Sequence, residues 1–214
     1  MRNIILVTIL LALTGCASVK NIPIDPAKRS DLQNKKLLVV QHETPSFVAL
    51  TRGKGAFALA GVLAAIEAGD ELVKQENLID PAVLTSAKLS HALNSKFNIS
   101  TSIYPEKSAT DELRKLSELT THQDYLIHLK TVGWSFHYEA FGDYVFGFGI
   151  QFRLIDPNNH KTLAEGHCRY PLDTKAETAT VPYKELVGNN AAYIKKQLSE
   201  GAEFCSKHLI STLL

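Results

Sequence analysis

Two periodicities alternate along this chain, one of two residues and one near 3.6, and the switches between them set the expected elements. Lys36–Gln41 is a short apolar run rich in branched residues, which predicts a buried strand in the middle of a sheet. Residues 56–75 predict a helix, charged only at Glu67 in its early turns, with Phe57, Gly61, Ala65 and Gly69 recurring every four positions. A face this small and flat lets another backbone come close, whether a helix, a sheet or a second copy of the chain. Asp80 and Pro81 predict the N-cap and first residue of a second helix, with Ala82, Leu89, Leu93 and Phe97 on one face before a break at Asn98. Residues 99–104 read as a short strand. Ser108 to Asp111 fits a loose capping box ahead of a helix that carries Leu113, Leu116 and Leu119.

Three long strands follow, over residues 125–139, 144–155 and Lys161–Tyr170, the last two joined by the turn Asp156-Pro157-Asn158-Asn159. After a polar loop at 171–184, Ile194, Leu198, Ala202, Cys205, Leu209 and Leu213 step by three or four from Asn190 to the end, as in an amphipathic helix. The order is strand, two helices, strand, helix, three strands, helix. This predicts a single α/β domain over residues 35–214, with a mixed sheet of about five strands and helices mainly on one face.

The long strands divide into unlike faces. Tyr144, Phe146, Phe148, Ile150, Phe152 and Leu154 point one way, and Val145, Gly147, Gly149, Gln151 and Arg153 the other. In the preceding strand Trp134, Phe136 and Tyr138 oppose Gly133, Ser135 and His137. Helices are expected on the small side, which leaves the aromatic side to be covered by another element, a partner or a second copy, because so large an apolar patch seldom stays in water. Trp134, Phe136, Tyr138, Phe141 and Tyr144 are accordingly the candidate partner-binding residues, Tyr138, Phe141 and Tyr144 at the hairpin tip being the easiest to reach. The bland alternative is that the first helices cover this face.

Composition narrows the class. The 214 residues are 45% hydrophobic and 21% charged, enough for one sizeable core and incompatible with disorder or a polytopic membrane protein. With 23 Lys+Arg, 22 Asp+Glu and no basic cluster, nucleic acid is not an expected partner. The amino terminus is more specific. Arg2 precedes an apolar run from Ile4 to Leu13, too short to span a bilayer, and Leu13-Thr14-Gly15-Cys16 closes it.

These four residues resemble the lipobox of bacterial lipoproteins. The resemblance implies a signal peptide at 1–15, acyl chains on Cys16 (palmitate among them) and membrane attachment through that cysteine. In such lipoproteins an aspartate just after the cysteine marks inner-membrane retention, so with Ala17 and Ser18 there the resemblance implies the periplasmic face of the outer membrane. Residues 16–34, with Pro23, Pro26 and mixed charge, are expected to be a flexible tether.

With Cys16 lipidated in an oxidising compartment, Cys168 and Cys205 remain as a pair. One lies on the small side of the last strand and the other on the apolar stripe of the last helix, so a bridge is the expected use, with two buried thiols as the alternative. The eight histidines show no His-x3-His or His-Glu-x-x-His spacing, and no metal or cofactor is expected. Arg52-Gly53-Lys54-Gly55 lacks the spacing of a phosphate loop, and the Asp111-Glu112 pair reads as a helix start that favours the dipole.

The element order also resembles the α/β domain of curli-secretion-type outer-membrane lipoproteins, of the amino-terminal part of the Tol system's β-propeller protein, and of lipoprotein activators of peptidoglycan synthases. What that resemblance implies is a non-catalytic, lipid-anchored accessory or assembly factor that acts through an envelope protein partner. Self-association into a structural or secretion ring is the alternative, and an envelope hydrolase with a site built from dispersed residues is a second.

Overall fold

The computed structural model describes residues 21–214 except 56–57, 121–122, 140 and 176. Cys16 and the whole signal segment therefore lie outside the described residues, as does Phe57. The strands are β1 (Lys36–Gln41), β2 (Phe47–Leu50), β3 (Ser100–Ile103), β4 (Tyr125–Tyr138), β5 (Asp143–Asp156), β6 (Lys161–Tyr170) and β7 (Val181–Pro182). The helices are α1 (Arg52–Gly55), α2 (Ala58–Glu76), α3 (Pro81–Phe97), α4 (Leu113–Ser117) and α5 (Tyr183–Leu213), the last broken by non-helical backbone at Gly188, Asn189, Asn190 and Ala191. The sheet runs β3-β1-β4-β5-β6, with β2 added to the upper part of β4 and β7 to β5. β1 is parallel to β3 and β4, β2 is parallel to β4, and the β4-β5-β6 meander and β7 are antiparallel. The fold is the single mixed α/β domain that the pattern of positions predicts, with seven strands instead of about five.

Local chemistry explains the elements. The Asp80 carboxylate accepts from the Ala82 N–H, Pro81 follows it, and Asn98 ends α3 in the left-handed region, where asparagine is tolerated. The Asp156 carboxylate accepts from the N–H groups of Asn158 and Asn159 and holds the β5-β6 turn. The small face of α2 meets a strand: a Cβ on Gly69 would lie 1.9 Å from the Phe47 carbonyl oxygen. Asp70 beside it accepts from the Phe47 N–H and the Ser46 hydroxyl, fastening α2 to β2.

The helices take the aromatic side and not the small one, as in the alternative in which a first helix covers it. α3 and α5 pack on the aromatic side of the sheet, where Ala82, Leu89, Leu93, Ile194, Leu198 and Leu209 join Phe146, Phe148 and Phe152 in one buried core. The physical reason is area. A helix laid on Gly133, Gly147 and Gly149 would bury little apolar surface, whereas covering the aromatic rows removes hundreds of Å2 from water at about 25 cal/mol per Å2. Trp134, Phe136 and Tyr144 are therefore core residues rather than a docking surface, at 3%, 1% and 7% exposure. Tyr138 is half-buried against Tyr144, and of the five candidates only Phe141 is fully exposed.

Residues 21–34, expected to belong to the tether, are instead part of the fold. Ile22 exchanges backbone hydrogen bonds with Glu165 on the edge of β6, Ile24 and Leu32 are buried, and Pro26–Leu32 forms a 3-10 helix. Two apolar side chains and a strand-like pairing bring residues 21–34 into the domain. Cys168 on β6 and Cys205 on α5 are joined as a disulfide with Cα atoms 5.5 Å apart. Among the described residues no helix is long and apolar enough to cross a membrane.

Candidate functional site

With the aromatic rows internal, the other side of the sheet becomes the face that carries chemistry. It has three zones. At one end Leu38, Val40, Leu126 and Ile155 are capped by Leu116 of α4 in a small second core. At the far end Gly133, Ser135, His137, Val145, Gly147 and Gly149 line a concavity of about 280 Å3 beside Tyr170 and Pro171. The glycines permit close approach there, since a Cβ on Gly147 would lie 2.8 Å from the Tyr170 carbonyl oxygen.

Between these zones lies a polar cluster. His128 pairs in register with Arg153 on β5 and with Val40 on β1, so it shares their face, as does Lys130 two residues on. His42 follows β1 directly and continues the Val40 side; its N–H donates to the Leu129 carbonyl. Asp111 descends onto the cluster from the segment before α4. The capping box expected over Ser108 to Asp111 does not form, because Ser108 bridges His42 and Glu112 takes the cap position without a side-chain hydrogen bond. Asp111, expected at an exposed helix start, instead receives Lys130 Nζ on Oδ2 at 2.5 Å and Arg153 on Oδ1 at 3.1 Å. His42 Nε2 and His128 Nε2 stand 3.7 and 3.9 Å from that same Oδ1. Arg153 also donates to the Asp111 carbonyl, and its Nε lies 3.9 Å from Glu165.

The protonation states follow from this packing. Burial first, and then the Arg153 charge, push His128 down to about 4, so its imidazole is neutral at pH 7. For Asp111, burial pushes the carboxyl up, but the hydrogen bond and charge of Lys130 outweigh it and hold the group below its usual range. The side chain of His128 is fully buried, and neither ring nitrogen has a hydrogen-bond partner.

This has a consequence for acid stability. Between the ordinary histidine value of 6.5 and about 4, the unfolded chain binds a proton at His128 that the folded chain refuses. Stability therefore falls as pH drops through that window, by on the order of 3 kcal/mol for this group. Urea denaturation of metal-free protein at pH 7 and pH 4 measures the loss, and His128→Gln flattens it; a slope unchanged by the substitution would contradict the assignment.

His42, His128 and Asp111 are the described group of three whose donor atoms lie close enough together to hold a metal ion, all within 4.8 Å of one another. Sequence reasoning missed it because its members are far apart in the chain and join only through the β1-β4 pairing and the loop before α4. The signal open to it was His128, placed by alternation on the same side as Lys130.

No family model matches the chain, and no curated protein matches it. Solved structures do resemble it. The PelC dodecamer from Paraburkholderia phytofirmans is 14% identical over 92% of this chain and 98% of its own, with a TM-score of 0.39. Protein XCC0632 from Xanthomonas campestris is 8% identical over 88% of each chain, with a TM-score of 0.44. The LpoB C-terminal domain from Salmonella enterica is 11% identical over 64% of this chain and 82% of its own, with a TM-score of 0.25. At these identities and scores the neighbours assign this chain no function.

Proposed function

We propose that this chain is a non-catalytic lipoprotein, anchored through acyl chains on Cys16 to the periplasmic face of the outer membrane, and that it acts as an accessory or assembly factor by binding another envelope protein. The anchor rests on the Leu13-Thr14-Gly15-Cys16 motif. The observation that carries the binding role is on α2. Gly61, Ala65 and Gly69 are buried, whereas Leu59, Val62 and Leu63, spaced as neighbours on one helix face, are 74%, 43% and 60% exposed. An apolar stripe displayed on a helix whose other side is already packed is the kind of surface a protein partner covers.

The docked amino-terminal segment sets the reach of this surface. Because Asn21 and Ile22 are tied to β6, at most about 18 Å of extended chain separates the Cys16 attachment point from the folded domain. An acylated chain thus keeps its domain close to the membrane, and its partner is one found there.

A photo-crosslinking residue at position 63 in intact cells, followed by mass spectrometry, tests the reading. The expected result is a discrete envelope protein, lost when Leu59→Glu is added to the same chain with an unchanged melting temperature, since the Leu59 side chain is already in water. Self-crosslinks alone would replace the partner with a second copy, and no product from position 63 would remove the binding role. Separately, Cys16→Ala abolishes palmitate incorporation; normal incorporation in that variant would end the lipoprotein reading.

A further inference from the structure

We propose that His42, His128 and Asp111 bind a single divalent transition-metal ion, and that zinc is the ion their chemistry fits best. Two imidazoles and one carboxylate are a ligand set that zinc accepts, leaving a fourth position for water or a partner's side chain. Bonds of about 2.0 to 2.1 Å place tetrahedral ligand pairs about 3.3 Å apart. The 3.7 and 3.9 Å gaps from Asp111 Oδ1 to the two Nε2 atoms are slightly wider, and rotation of the half-exposed Asp111 side chain closes them.

Two further features point to an ion rather than to a chance cluster. His42 Nδ1 lies 3.3 Å from the Glu43 carbonyl oxygen, so that nitrogen carries the proton and donates it, which leaves the Nε2 lone pair facing Asp111. Backbone acceptors orient metal-binding histidines in this way. His128 supplies the stronger argument. Its side chain is fully buried, both ring nitrogens lack a partner, and Nε2 points at the same carboxylate oxygen. A buried polar group without a partner is costly, and an ion held between Nε2 and Asp111 Oδ1 gives Nε2 the partner it lacks, leaving Nδ1 as the unpaired ring nitrogen.

Lys130 and Arg153 also rest on Asp111, and their charges work against the ion. Arg153 is offset by Glu165 and held by the Asp111 carbonyl, whereas Lys130 has a partly exposed side chain that can swing into water. Lys130 is therefore a competitor for the carboxylate, and the sign of its effect on affinity is fixed.

Metal-stripped full-length protein in mild detergent, dialysed against zinc at pH 7.5, is expected to take up one equivalent per chain. Cobalt in its place is expected to give the visible absorption of a four-coordinate site. His42→Ala weakens zinc binding at least about tenfold. It is preferred to a change at His128, because His42 is not in the closed core and the fold survives its loss. Lys130→Gln tightens binding. Absence of stoichiometric uptake by the wild type, or uptake indifferent to His42→Ala, overturns the site. Affinity unchanged or weakened in Lys130→Gln removes Asp111 from the ligand set and the proposal with it.

Discussion

Phe136→Ala lowers the free energy of unfolding by about 3 to 5 kcal/mol, the usual cost of emptying an aromatic side chain from a closed core. Phe136 is 1% exposed and sits edge-on to Phe47, Tyr144 and Tyr183 at centroid distances of 5.7, 5.8 and 6.0 Å, so its loss also removes three favourable ring contacts. Phe47 comes from β2 and Tyr144 from β5, so Phe136, with Trp134 and Phe146, is one of the rings that join the added strand to the meander. Phe141, at the tip of the same hairpin, touches none of these, and Phe141→Ala stays within about 0.5 kcal/mol of the wild type. Urea titration of both variants checks the contrast. A Phe136→Ala protein as stable as Phe141→Ala would mean that the aromatic face is not the interior of this fold.

That contrast marks where reading the sequence succeeded and where it failed. The two faces of β5 and of β4 beyond Gly133 are legible in the alternation, and the register keeps Trp134, Phe136 and Tyr138 beside Phe148, Phe146 and Tyr144, but the irregularity between Thr131 and Gly133 switches the parity of β4 and puts His128 and Lys130 on the face opposite Trp134. Which face the helices would choose was not legible from either strand alone. It depends on the area that α3 and α5 bury together, a property of the assembled layers. β2 escaped notice because four residues after Pro45 carry too little pattern, and it exists through its parallel pairing with β4 and the Asp70 side chain. Residues 21–34 looked like a tether because two isolated apolar residues, Ile24 and Leu32, have no period; their partners lie at the far end of the chain and in the core.

The candidate site was the least legible part. The local sequence of Asp111 is that of a helix-start acid, whereas Lys130 and Arg153, distant in sequence, recruit it to the sheet. Local preference lost to charge pairing across the fold. By contrast, the cysteine pairing was legible, since both residues fall on inward stripes of elements that had to meet.

Opening the Cys168–Cys205 bridge is expected to cost about 3 to 4 kcal/mol, because the two residues are 37 apart in sequence and the unfolded chain regains the freedom of that loop. The loop includes the polar stretch after Tyr170 and the break at Gly188–Ala191, which β7 and the buried Leu186 and Ala191 also tie to the fold. For a chain of this size the loss corresponds to a melting temperature lower by roughly 10 °C. The decisive comparison is among single and double variants. Cys205→Ser and Cys168→Ala each break the same covalent link, so both show the full loss. The double variant adds little beyond either, the non-additivity expected of partners in one interaction. Costs that add in full, together with two reactive thiols at these positions in the unreduced wild type, would show that the cysteines act separately.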